Sequence, residues 1–233
     1  MKNYVDLAII TGFGDKGVDE LKTELDRSMH LDSSQVIPGA PWHKALQEPE
    51  ERIAEISQTI EAIGSKQLLL VGHSYGALLA LVVACRRKLE GILKLVLLDG
   101  PLRSDVEVKP EALGHHLFYK HYNERIKLAQ ECEEFLRRFQ TDKMLTIGTT
   151  QDRIVPPEAK TLLTNEHNIH LRSMADFPKL SMPDIAEDTP RLTLIKTQGM
   201  STNILIEMPE MAGHRLTKPK AELYGRLIRN VLY

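Results

Sequence analysis

A serine stands between two glycines where an apolar run ends, in the sequence LLLVGHSYG at residues 68–76. A serine on a sharp strand-to-helix turn is held in a strained backbone conformation, so the residues two before and two after it must lack bulk. Gly72 and Gly76 meet that requirement around Ser74, and a very apolar stretch at residues 77–84 predicts a buried helix after the turn. The helix N-terminus would direct N–H groups at an oxyanion. Ser74 is therefore a candidate nucleophile, the alternative being a tight turn with an inert serine.

This strand–turn–helix segment resembles the nucleophile elbow of the α/β-hydrolase superfamily. The resemblance implies an α/β fold, with a mostly parallel central sheet and helices on both faces. It also implies a serine, an acid and a histidine in that order along the chain, and a reaction that needs neither a metal nor an organic cofactor. Because a serine hydroxyl is a weak nucleophile at neutral pH, a histidine within reach must act as its general base.

His214 is the candidate base among the nine histidines of the chain. It follows the last predicted strand, at residues 203–208, and precedes the C-terminal helix, where the superfamily places its histidine. His73 directly precedes the nucleophile and is expected to point elsewhere. Three further histidines lie in a segment that we interpret as an insertion: His115, His116 and His121. The alternative for His214 is a histidine on a surface loop.

The candidate acid is Asp152, which would orient the imidazole and stabilise the imidazolium. The sequence MLTIGTTQDRIVP at residues 144–156 resembles the superfamily's strand–Gly–loop–Asp–x–x–Val–Pro segment, with one extra residue between the glycine and the aspartate. Asp99, at the end of the predicted strand 92–98, is the alternative acid, because some superfamily members place the acid there. A third possibility is that Asp152 is only a turn or N-cap aspartate ahead of Pro156.

The resemblance also implies two backbone N–H donors for an oxyanion. One belongs to Tyr75, the residue after the nucleophile, and the other to Phe13, in the loop after the first strand. The superfamily usually has His-Gly before that second donor, and here Thr11 replaces the histidine while Gly12 remains. The alternative is a glycine-rich turn without this role. A phosphate-binding loop is disfavoured, because GFGDKG at residues 12–17 lacks the lysine placement of G-x-x-x-x-G-K-[ST].

Apolar runs that alternate with amphipathic stretches predict the elements that carry these residues. Strands are predicted at residues 4–11, 35–37, 67–71, 92–98, 144–147 and 203–208. Helices are predicted from Val18, from Pro49 to a stop at Gly64, over residues 77–84, and from an N-cap at Thr217. We interpret Lys218 and Lys220 as a solvated end of the last helix. Strands that alternate with helices in this way predict a mostly parallel sheet.

Two segments interrupt the alternation, residues 102–141 and residues 163–200. The length of 233 residues corresponds to roughly one and a half domains. We interpret residues 1–233 as a single α/β-hydrolase domain with those two insertions, the first being a small helical lid of the kind the superfamily often carries there. Because the chain begins on the strand that leads to the Phe13 loop, we expect the two leading strands of larger relatives to be absent.

Composition excludes several other classes of protein. The chain has 30 Lys and Arg against 32 Asp and Glu, a net charge of −2, which argues against a nucleic-acid binder. Its two cysteines are too few for a disulfide framework, and no CxxC pair indicates zinc. The apolar run at residues 77–85 is far too short for a membrane span, and the N-terminus has no secretory pattern. We therefore expect a cytoplasmic protein.

Candidates for substrate contact lie mainly in the two insertions. Apolar residues of the first would pack the lid onto the core or, in a few cases, line an acyl pocket: Leu117, Phe118, Tyr122, Leu128, Phe135 and Leu136. The methionines would form an adaptable apolar wall or fill the core: Met174, Met182, Met200, Met208 and Met211. Trp42 and His43 follow the short strand 35–37 and could approach the site entrance.

These residues predict a serine hydrolase that acts on a small-molecule acyl substrate, a carboxylic ester or a thioester. One alternative is a C–C bond hydrolase or lyase on the same fold. The other is a non-catalytic protein of that fold which binds a small ligand in the same place. The sequence leaves the substrate, the ester or thioester choice and the oligomeric state open.

Overall fold

The computed structural model describes most of the chain, namely residues 5–13, 17–41, 47–108, 119–139, 141–162, 166–172 and 201–232. Several candidates for substrate contact lie outside the described residues: Trp42, His43, Leu117, Phe118, Met174, Met182 and Met200. The same holds for His115 and His116, and for most of the 163–200 insertion.

The described strands form a single sheet in which every neighbouring pair is parallel. In chain order they are β1 (Val5–Ile10), β2 (Leu31–Ile37), β3 (Leu68–His73), β4 (Ile92–Leu98), β5 (Met144–Thr149), β6 (Glu166–Leu171) and β7 (Ser201–Ile206). Their order across the sheet is β2-β1-β3-β4-β5-β7-β6. This arrangement confirms the predicted α/β class, and the sheet is wholly parallel where it is described.

Helices cover both faces of the sheet, as predicted. They are α1 (Val18–Ser28), α2 (Pro49–Ile63), α3 (Tyr75–Arg86), α4 (Tyr119–Arg138) and α5 (Lys218–Leu232). One apolar core joins α2, α3 and α4 to the sheet, and a second joins α1 and α5 to the opposite face. Since β3 is buried along its whole length between these cores, it reads as a continuous apolar run in the sequence. No helix in the described ranges is long and apolar enough to cross a membrane.

Helix α4 lies in the segment predicted as a lid. Its described side chains Leu128, Cys132 and Leu136 are buried in the core that contains α3, and Phe135 packs against that core. Leu128 and Leu136 therefore hold α4 on the domain, which is the packing alternative stated for them above. Met208 and Met211 are likewise buried in the second core.

Strand β6 belongs to the second insertion and was not predicted. It precedes β7 in the chain, but β7 lies between β5 and β6 in the sheet. Strand β5 therefore pairs with β7, and β6 forms the edge of the sheet. Its sequence, EHNIHL, has the mixed polarity of an edge strand and lacks the apolar run by which the other strands were recognised. The insertion therefore extends the sheet by one strand.

Candidate active site

Ser74 occupies the turn between β3 and α3. Its φ of 57° and ψ of −131° lie in a region that residues other than glycine rarely adopt, at a cost of about 1–3 kcal/mol. Two backbone hydrogen bonds hold the turn, from Ser74 N to the Leu98 carbonyl at 2.8 Å and from Ala77 N to the Ser74 carbonyl at 3.0 Å. The sequence therefore places its candidate nucleophile at the tip of the sheet and at the start of a buried helix.

The two glycines of the motif allow the backbone to approach closely around this turn. A Cβ atom on Gly72 would lie 2.5 Å from the Cα of Ala77. A Cβ atom on Gly76 would lie 2.3 Å from the carbonyl oxygens of Ile10 and Thr11 at the end of β1. Both distances are far below van der Waals contact, and the atoms opposed are backbone atoms that cannot move aside. Gly72 is therefore required where the end of β3 meets the first turn of α3, and Gly76 where α3 packs against the end of β1.

We predict that Gly76→Ala lowers the free energy of unfolding by about 3 kcal/mol, because the new methyl group must displace the end of β1. The matched control is Gly64→Ala, which adds a methyl group at a helix end with no atom within 4 Å but a φ of +64°. The control should lose about 1 kcal/mol, from the left-handed backbone alone. Urea unfolding of both variants measures the difference, and equal losses would contradict the close approach at Gly76.

His214 lies opposite Ser74, on the loop between β7 and α5. Its Nε2 atom is 2.6 Å from Ser74 Oγ, and its Nδ1 atom is 2.8 Å from Asp152 Oδ2. If the Nδ1 proton is donated to the carboxylate, Nε2 is left to accept the serine proton. The preceding residue, Gly213, has a φ of 89° and donates its N–H to the Gln151 carbonyl at 2.6 Å, which ties this loop to the Asp152 loop.

Asp152 uses its two carboxylate oxygens for two purposes. Oδ1 accepts the N–H groups of Ile154 at 2.8 Å and Val155 at 3.2 Å, so it makes the turn that was the alternative role for this residue. Oδ2 faces His214 and lies 2.7 Å from Lys160 Nζ. Burial raises the pKa of the Asp152 carboxyl, but the hydrogen bond from His214 and the Lys160 ammonium outweigh burial and lower it to about 2. The carboxylate is therefore ionised at neutral pH.

Asp99, the alternative acid, is fully buried at the end of β4 with a φ of 48°. Oδ1 accepts Lys160 Nζ at 2.7 Å and the Thr149 N–H at 3.0 Å. Oδ2 accepts Lys220 Nζ at 3.0 Å and the Tyr224 hydroxyl at 2.7 Å. None of the hydrogen bonds that the structure describes for Asp99 reaches His214.

Charge explains how Asp99 remains ionised inside the domain. Burial raises the pKa of its carboxyl, but the Lys160 and Lys220 ammonium groups outweigh burial and hold it well below its ordinary value. Burial and the Asp99 carboxylate together raise the pKa of the Tyr224 phenol, so this hydroxyl stays a donor at neutral pH. Asp99 is therefore the anionic centre of a network beneath the Ser74–His214–Asp152 chain.

Two lysines of that network were not predicted as part of the site. Lys160, in the 3₁₀ turn Pro157–Lys160, was given no role, and Lys220 was interpreted as solvated, which is wrong, because both side chains are fully buried. A signal for Lys220 was present: it shares one face of α5 with Tyr224 and Leu227, at i, i+4 and i+7, and both of those residues are buried. For Lys160 the sequence contains no comparable pattern.

Phe13 and Tyr75, the candidate oxyanion donors, lie next to each other. Their rings stack with centroids 4.6 Å apart and an interplanar angle of 10°. Tyr75 is the first residue of α3, and Phe13 follows β1 and bridges to Ala40. The two loops expected to supply N–H groups thus meet beside Ser74. Among the residues that the structure describes, no cluster of three His, Cys, Asp or Glu side chains is arranged to hold a metal ion.

No protein-family model matches the chain, and no curated protein matches it in sequence. Solved structures do match. Est1E from Butyrivibrio proteoclasticus is similar with a TM-score of 0.57 and 14% identity, over 98% of this chain and 87% of that chain. The monoacylglycerol lipase of Paleococcus ferrophilus has a TM-score of 0.54 and 17% identity, over 97% and 93%. The thioesterase domain from the curacin biosynthetic pathway has a TM-score of 0.51 and 17% identity, over 97% and 90%.

Proposed function

Since the chain has the α/β-hydrolase fold, we propose that it is a serine hydrolase which cleaves a carboxylic ester or a thioester through an acyl-enzyme on Ser74. The observation that carries this proposal is the hydrogen-bonded chain from Ser74 Oγ through His214 to Asp152, with distances of 2.6 Å and 2.8 Å. These are the separations at which a general base can take a proton from a nucleophile and a carboxylate can orient that base.

In the proposed reaction, His214 Nε2 takes the Ser74 proton while Oγ attacks the carbonyl carbon of the substrate. The imidazolium then gives this proton to the departing alkoxide or thiolate, which leaves an acyl group on Ser74. Water, deprotonated by the same imidazole, attacks the acyl-enzyme and releases the carboxylic acid. The ionised Asp152 holds the imidazole in the required tautomer and stabilises the imidazolium in both halves of the cycle.

The oxyanion of each tetrahedral intermediate would be stabilised by the N–H groups of Phe13 and Tyr75. Tyr75 is suited to this because it begins α3, where N–H groups point out of the helix and the helix dipole is positive. Phe13 is suited because its ring stacks on Tyr75 and so fixes the β1 loop beside the turn of Ser74. Removing one such donor typically costs about a hundredfold to a thousandfold in kcat.

Ester and thioester hydrolysis share every step up to the leaving group, so both stay within the proposal. Among the structural neighbours are a protein named as a monoacylglycerol lipase and one named as a thioesterase domain, which is why these two substrate classes are tested first. A C–C bond hydrolase would use the same residues but must protonate a carbanion. A binding protein would use the site without forming a bond to Ser74.

The test is labelling by a fluorophosphonate, which reacts only with an activated serine, in the wild type, Ser74→Ala and the control Ser104→Ala. Ser104 is suited as the control because its hydroxyl bonds to Glu133, away from His214. We expect labelling of the wild type and the control but not of Ser74→Ala. Labelling that persists in Ser74→Ala would refute the nucleophile, and an unlabelled wild type would favour ligand binding. Rates on p-nitrophenyl esters, acyl thioesters and vinylogous diketones then separate the three reactions.

A further inference from the structure

Behind the proposed catalytic residues lies a set of buried charged groups, which we call the buried ion cluster: Asp99, Asp152, Lys160, Lys220 and Tyr224. Its two carboxylates and two ammonium groups balance each other, and the charged side chains are fully buried. Charges removed from water in this way are stable only when each is paired and hydrogen-bonded. The cluster meets that condition. Asp152 belongs both to this cluster and to the proposed catalytic set Ser74, His214 and Asp152.

Lys160 is the residue that connects Asp152 of the proposed catalytic set to Asp99 in the buried ion cluster. Its Nζ lies 2.7 Å from Asp152 Oδ2, 2.7 Å from Asp99 Oδ1 and 2.8 Å from the Thr149 carbonyl oxygen. The Thr149 hydroxyl oxygen lies 3.4 Å from the same Nζ, so the three protons of the ammonium group face four acceptors. The stem of the side chain packs against Gly148, where an added Cβ would lie 2.6 Å from Lys160 Cδ. The lysine is thus fixed in position at both ends.

In this geometry, one oxygen of the Asp152 carboxylate interacts with both His214 and Lys160. His214 Nδ1 approaches Oδ2 at 2.8 Å and Lys160 Nζ approaches the same oxygen at 2.7 Å. Because Coulomb energies grow as charges approach, an ammonium group at that separation offsets much of the attraction that the carboxylate exerts on a protonated imidazole. An unshared carboxylate would favour the imidazolium more strongly.

We propose that Lys160 is a positioning residue of this site. It holds Asp152 in line with His214 and weakens the electrostatic attraction between that carboxylate and a protonated imidazole. In consequence the imidazole stays unprotonated, and able to accept the serine proton, at lower pH than it would beside an unshared carboxylate. This inference rests on the proposed function, since it concerns the same serine, histidine and aspartate.

Other titratable groups also face His214. The His73 ring, at the end of β3, lies with its centroid 5.8 Å from the His214 ring. From α5, Lys220 Nζ bonds to the carbonyl of Gly213 at 2.7 Å and lies 5.7 Å from the centroid of the Tyr224 ring. The Tyr224 hydroxyl bonds to Asp99, whose carboxylate acts electrostatically on His214 without a described hydrogen bond to it. Lys160 is the cation that contacts the oxygen to which His214 is bonded, which is why its removal should act on the base directly.

A purely structural role for Lys160 makes a different prediction. It would lower the free energy of unfolding, and the rate with it, but would leave the acid limb of the pH–rate profile in place. A positioning role moves that limb. The measurement is therefore kcat/KM, or the rate of fluorophosphonate labelling, as a function of pH.

The variants are Lys160→Met, which keeps the stem and removes the charge, Lys160→Arg, which keeps the charge, and Tyr224→Phe as the control. Tyr224→Phe removes one hydrogen bond to Asp99 but changes no charge and removes no described hydrogen bond to Asp152. We expect Lys160→Met to move the acid limb up by about one pH unit and to lower kcat/KM on the plateau about tenfold or more. In Lys160→Arg and in the control Tyr224→Phe, the acid limb should stay at the wild-type position.

Because Lys160→Met leaves an unbalanced buried carboxylate, the double variant Lys160→Met/Asp99→Asn is included, in which one anion leaves with the cation. It should still show an upward shift, but a smaller one than Lys160→Met, because the Asp99 carboxylate that is removed also attracts a charged His214. If a folded variant without the lysine charge keeps the wild-type limb, or if neither of the two folds, the lysine serves the fold and the proposal is overturned. A wild type that is not labelled at any pH would instead refute the proposed function, so the two failures are distinguishable.

Discussion

Ser74→Ala is expected to lower kcat for hydrolysis by about a millionfold, and adding His214→Ala should lower it hardly further. The reason is that the two side chains act as one unit, with Ser74 Oγ 2.6 Å from His214 Nε2. Without the hydroxyl the imidazole has no nucleophile to activate, and without the imidazole the hydroxyl keeps its proton. The activity that remains would come from substrate binding and the oxyanion donors, which neither substitution removes.

The measurement is kcat for Ser74→Ala, His214→Ala and the double variant on one activated ester, with His30→Ala as control. His30 is exposed and precedes β2, away from Ser74, so its removal should leave kcat unchanged. A double variant slower than each single variant by a further factor of about a thousand would mean that the two residues contribute independently. That result would contradict their action as base and nucleophile.

The elbow could be predicted because its requirement is local. The two glycines of the motif allow the close backbone contacts of the turn around Ser74. The apolar runs on either side of the motif predict a strand before it and a helix after it. For the same reason the predicted strand at residues 92–98 coincides with β4, and the predicted stop at Gly64 directly follows the end of α2. The φ of 64° at Gly64 shows the left-handed conformation by which such helices end.

The sequence favours Asp152 over Asp99 through its resemblance to the superfamily's segment, but it leaves Asp99 open as the alternative. Both residues follow neighbouring parallel strands, β4 and β5, which pair at Leu98 and Ile147, so both reach the same edge of the sheet. Which carboxylate faces His214 depends on the path of the loops after these strands. Thr150 and Gln151 separate Asp152 from the end of β5, and its Oδ1 caps the turn that follows. Asp99 directly follows β4 and is bonded by groups from β5, the 3₁₀ turn and α5.

The carboxylate partners of the two buried lysines could not be predicted, for a related reason. Lysine is almost always solvent-exposed, and its burial depends on partners that lie far away in the chain. Lys160 meets Asp99 across 61 positions and Lys220 meets it across 121. The spacing of apolar residues predicts which face of a helix is buried, but it does not predict that a carboxylate from a distant part of the chain lies beneath that face.

Asp152→Asn is expected to lower kcat about ten-thousandfold, whereas Asp99→Asn should lower it less than about tenfold. An asparagine at position 152 can present its amide group to His214 Nδ1 and favour the tautomer in which Nε2 carries the proton and can no longer accept one from Ser74. It also removes the charge that stabilises the imidazolium. Asp99 makes no described hydrogen bond to His214, so its loss should affect the reaction only indirectly, through its longer-range charge interaction with His214 and through the packing of the cluster.

Stability should rank the same two variants in the opposite order. Asp99→Asn leaves Lys220 without its described carboxylate partner and costs about 3 kcal/mol or more, whereas after Asp152→Asn Lys160 still has Asp99. Measuring kcat together with urea unfolding therefore separates the acid from the anionic centre of the cluster. If only Asp99→Asn lost activity while Asp152→Asn kept it, the acid would be Asp99, and the 2.8 Å contact between Asp152 and His214 would be a structural one. The crossed ranking is the stronger test, because a general loss of folded protein would lower both quantities together.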